Sequence, residues 1–149
     1  MTRSIPSPAR LLGFAGLLPQ VAAVVVQAIG EPGTLFTAQA FAFAYAALIF
    51  SFLGGMWWGI AAMADRAPGW LWIAAVAPSL IALAACAPWM TGGTWPGPSS
   101  ALLGIAIVAT LWVDRRLAAD RLVPPWWIKL RVPLSLGLGG LTLVSGLLA

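Results

Sequence analysis

The chain has 149 residues, 61% of them hydrophobic and only 8% charged, with eight Lys/Arg against four Asp/Glu and a net charge of +4. A soluble domain carries about 25% charged residues, so this composition cannot cover a water-facing surface. Histidine is absent and Cys86 is the only cysteine, which removes the commonest metal ligand, the usual general base and any intrachain disulfide.

Five apolar runs follow one another. The first, Leu11 to Ile29, comes after Arg3 and Arg10 and closes at Gly30-Glu31-Pro32-Gly33. It is longer than the apolar core of a signal peptide, about 7–15 residues, and predicts a retained helix. The second, Leu35 to Ala64, exceeds a hydrocarbon core of about 30 Å and must tilt or project. Asp65-Arg66-Ala67-Pro68-Gly69 ends it. The third runs from Trp70 to Trp89, and the Gly/Pro content of Met90–Pro98 predicts a loop. The fourth, Ser100 to Val113, is short for a span and is predicted to continue to Asp120, its charges snorkelling to the interface. Pro124-Pro125-Trp126-Trp127 breaks the chain, and a fifth helix is expected over 129–148. The fold class is therefore all-α, one integral membrane domain of five transmembrane helices over 1–149.

The basic residues set the orientation. Arg3 and Arg10, then Arg66, then Arg115, Arg116, Arg121, Lys129 and Arg131 occupy alternate connections, and the others hold none. The N-terminus is expected in the cytoplasm and the C-terminus on the opposite side. A bacterial cytoplasmic membrane is assumed. The positive charge is explained by an anionic leaflet, so the lipid bilayer is the expected partner and nucleic acid is not.

In lipid, small residues mark helix contacts. Ala47, Ser51, Gly55 and Gly59 recur every four residues on the second helix, and Ser135, Gly139, Thr142 and Gly146 share a face of the fifth. Both stripes are expected to be helix seams inside the bundle; a homodimer face or a groove for a ligand is the alternative. Pro19, Pro78 and Pro133 predict kinks, with Gln20 and Ser79 as local partners for the freed carbonyls. Asp114 at the end of the fourth helix is expected to pair with Arg131 at the start of the fifth, or Arg115, Arg116 and Arg131 to form an anion site. One of Trp57 and Trp58, beside Gly55 and Gly59, is expected to face the interior, with Trp58 the candidate for lining a ligand site.

The segments Leu12–Pro19, Tyr45–Gly59, Pro78-Ser79-Leu80, Asp114-Arg115 and Pro125–Arg131, in that order, resemble the transmembrane-protein-69-like family of small membrane proteins. The resemblance implies a polytopic inner-membrane protein and brings no catalytic residue or substrate. Trp57 stands where that family often carries a polar or basic residue, and Ser135 where threonine is common.

No Asp, Glu, Lys or Arg falls in the middle of a predicted span, which argues against a proton or cation pump. Asp65, Asp114, Asp120 and Glu31 are too dispersed to act as an acid–base pair, and no cofactor is expected. Two functions remain. The first is a non-enzymatic accessory, assembly or scaffold bundle that touches another membrane protein. The second is a binder or carrier of a lipid, quinone or porphyrin-like ring in a cavity lined by Tyr45, Ser51, Trp58, Pro78 and Ser79.

Overall fold

The computed structural model describes residues 4–149, so Arg3 lies outside the described residues. Every element is helical: α1 (Ser7–Ala15), α2 (Leu18–Ile29), α3 (Pro32–Met63), α4 (Gly69–Met90), α5 (Gly97–Ala119) and α6 (Trp127–Leu147). Four segments are long and apolar enough to cross a membrane, namely Ser7–Ile29, Pro32–Met63, Gly69–Met90 and Trp127–Leu147. α5 is not among them.

The first predicted helix is two. It breaks at Gly16-Leu17, and Pro19 falls in the first turn of α2. There its missing N–H would be unpaired in any case, so it opens a helix rather than kinking one. The Tyr45 hydroxyl donates to the Gly16 carbonyl at 2.6 Å and holds the break against α3. Gln20, expected to serve a local carbonyl, instead reaches α6, donating to Thr142 Oγ1 at 3.1 Å. Pro78 and Pro133 do lie inside helices, as does Pro88. Ser79 turns outward, away from the carbonyl that Pro78 frees.

α5 and α6 form the tightest pair, antiparallel and in register. Leu103, Ile107, Thr110, Asp114 and Leu117 alternate steps of four and three along α5, and all are buried. Arg131, Ser135, Leu138, Thr142 and Ser145 repeat those steps on α6. This near-3.5 period keeps one face of each helix on its partner. Glycines let the backbones approach. A Cβ on Gly104 would lie 2.8 Å from the Gly139 carbonyl oxygen, and one on Gly139 would lie 2.6 Å from Val108 Cγ2.

The first segment runs parallel to α6. Gly13 lies on Leu134, Leu17 on Gly137, and Gln27 Nε2 donates to Ser145 Oγ at 3.0 Å. α3 packs on α4, where Gly54 takes Pro78 and Ala75 against its bare backbone. One core cluster joins Phe43, Phe50, Ala82, Leu103, Ile107 and Leu138. A second joins Trp57, Ala61, Leu71, Ala75, Val113 and Leu117.

Candidate functional site

The polar centre of the molecule is Asp114, which has no exposed surface. Five residues before the end of α5, its carboxylate would be unsupportable in an apolar core unless paired and hydrogen-bonded. It is both. Arg131 Nε donates to Oδ2 at 2.8 Å. The indole N–H groups of Trp57 and Trp127 donate to Oδ1 at 3.2 Å and 3.0 Å. Arg131 Nη2 reaches Thr110 Oγ1 at 3.4 Å, and Thr110 lies 3.5 Å from Ser135 Oγ. Three helices, α3, α5 and α6, thus meet on one ion pair. The expected Asp114–Arg131 contact is present as drawn from the sequence.

The alternative anion cluster is not assembled. Arg115 and Arg116 are exposed on the far side of α5. Arg116 lays its guanidinium over the Trp70 ring, 5.6 Å from the centroid, a cation–π contact at the start of α4.

Two small cavities, each of about 180 Å³, flank the ion pair. One lies between α1, α3 and α6, with Arg131 and Ser135 in its wall. The other lies between α3, α4 and α5, lined by Trp57, Pro78 and Thr110. The five expected lining residues therefore do not converge. Tyr45 is spent on Gly16, Ser51 is half-buried, and Ser79 is exposed. Trp58 is 49% exposed and meets Trp72 edge to face at 4.8 Å, whereas Trp57 is the interior indole, 2% exposed. Helical spacing carried that signal, because Trp57 shares a face with Phe50, Gly54 and Ala61. Trp127 gave none, since its position at a helix start reads as an interfacial indole.

The two small-residue stripes also separate. Ser135 and Gly139 lie in the α5–α6 seam. Gly55 and Gly59 do not lie in any seam: both are exposed, with nothing within 4 Å of a Cβ built on either. Ala47 is half-buried. The outward face of α3 instead carries Leu48 and Phe52, 69% and 65% exposed, ahead of the two bare glycines.

A family model described as a protein of unknown function (DUF3429) matches residues 5–148, and the chain belongs to that family. No curated protein and no solved structure matches it.

Proposed function

We propose that this is an integral membrane protein of five spans that acts by contact, as an accessory or scaffold subunit presenting the outward face of α3 to a helix of another membrane protein. The carrying observation is that Gly55 and Gly59 form a G-x-x-x-G with open space over both glycines. In lipid, where apolar burial drives no association, bare backbone of this kind permits the close approach that holds helices together. The buried polar groups support a structural interior. Gln20, Gln27, Thr110, Asp114 and Arg131 are spent mainly on one another or on neighbouring helices.

The in-register pairing of α5 with α6 supports a fifth span, because α5 then crosses the same depth as its partner. The alternate placement of basic residues supports a cytoplasmic N-terminus and a far-side C-terminus. A bacterial inner membrane and kinship with transmembrane-protein-69-like proteins are part of the same reading.

Gly55→Leu and Gly59→Leu test it. Each should leave the thermal midpoint of the purified protein within a few degrees, because neither glycine packs inside the chain. Each should remove co-purifying partners or a second copy from gently solubilised membranes. Unchanged association in the double variant contradicts the proposal.

A further inference from the structure

We infer that the cavity between α1, α3 and α6 is a binding site for the neutral carbonyl end of a membrane-dissolved amphiphile. Arg131 supplies the reason. Its Nε is taken by Asp114 and its Nη2 faces Thr110, while Nη1 makes no hydrogen bond among the described residues and keeps some accessible surface. The side chain is 10% exposed, and it lines this cavity. An N–H donor left open in an apolar pocket forfeits the hydrogen bonds it had in water. Ser135, in the same wall, has its hydroxyl 3.5 Å from Thr110 Oγ1, whose own proton goes to the Ile107 carbonyl at 2.6 Å.

The charge balance selects the acceptor. Arg131 is already neutralised by Asp114 at 2.8 Å. An anion on Nη1 would leave the buried group with one uncompensated negative charge, which a low-dielectric surrounding disfavours. A carbonyl oxygen accepts the same hydrogen bond with no added charge. The remaining wall is apolar, with Gly13, Ile49, Leu53 and Leu138 among its residues. Leu12 and Phe52, also in its wall, are 70% and 65% exposed, which leaves the cavity reachable through the apolar surface. A cavity of about 180 Å³ is of the size that accepts a single six-membered ring or a short stretch of acyl chain. A lone water would serve the N–H and leave the apolar volume empty. The carbonyl chemistry is shared by a quinone ring and a phospholipid ester. This inference is independent of the α3 contact.

The test uses the full-length protein in detergent, titrated with a decyl-substituted benzoquinone, with a short-chain phosphatidylcholine and with decanoate. Binding is read as the shift in thermal midpoint, and retained masses are read by native mass spectrometry. A saturable upward shift with one neutral probe, absent with decanoate, is expected, and which probe acts separates the quinone from the ester. Gly13→Leu should fill the groove and weaken that response at least tenfold; its Cβ would press on Leu134 Cδ1 at 3.0 Å, the movable tip of a side chain, so a somewhat lower unliganded midpoint is expected with it. Arg131→Lys keeps the charge but not the guanidinium fork and should weaken it similarly; if it does not fold, Gly13→Leu decides. No saturable shift with either neutral probe, a larger shift with decanoate, or a response untouched by Gly13→Leu overturns the site.

Discussion

Asp114→Ala should be the most damaging single substitution in this chain, lowering stability by about 3–5 kcal/mol. The reason is what it leaves behind. Arg131 would remain 8% exposed with its charge uncompensated, and the indole N–H groups of Trp57 and Trp127 would lose their common acceptor. The loss would be read as an earlier transition when the purified protein is unfolded by sodium dodecyl sulfate in mixed micelles. Asp114→Asn with Arg131→Gln removes both charges and leaves two neutral amides, so the double variant should recover part of the loss. A buried pair is often replaceable as a unit even where breaking it is costly. If Asp114→Ala unfolds with the parent, the carboxylate is not the keystone described above.

Gly139→Ala should destabilise by about 1–3 kcal/mol, since it forces a methyl into a packed seam. The added Cβ would sit 2.6 Å from Val108 Cγ2 and 2.9 Å from the Gly104 carbonyl oxygen. The second of these is backbone of the partner helix and cannot rotate away. Gly104→Ala meets the same seam from the other side and should behave alike. Gly140→Ala is the internal contrast. Nothing lies within 4 Å of a Cβ there, and alanine is the better helix former by about 1 kcal/mol, so that change should be neutral or stabilising. The same unfolding assay gives the signs. Equal effects at 139 and 140 would mean that α5 and α6 are not packed in this register.

These two substitutions also mark what could be read from sequence. Helix positions were legible because each apolar run ends in charge, Gly or Pro. The Asp114–Arg131 pair was legible because opposite charges border consecutive spans on one side. Which way α3 faces was not. Its outward residues are as apolar as its inward ones, so hydrophobicity does not distinguish the two faces. Gly54 and Gly55 are adjacent, and they point to opposite environments, one onto α4 and one into open space. Choosing the stripe through Gly55 and Gly59 as an interior seam therefore selected the wrong side and made Trp58, on that same side, the candidate lining residue. The break at Gly16-Leu17 was hidden inside one uninterrupted apolar run. The lining of the two cavities depends on how three helices meet, which no single helix encodes.

The most direct test of contact through α3 is photo-crosslinking in native membranes from a benzophenone side chain placed at Leu48, seven residues before Gly55 on the same outward face. The account predicts a discrete protein adduct that Gly59→Leu abolishes, its mass showing whether the neighbour is another protein or a second copy. Adducts to lipid alone, the same with and without Gly59→Leu, would contradict it.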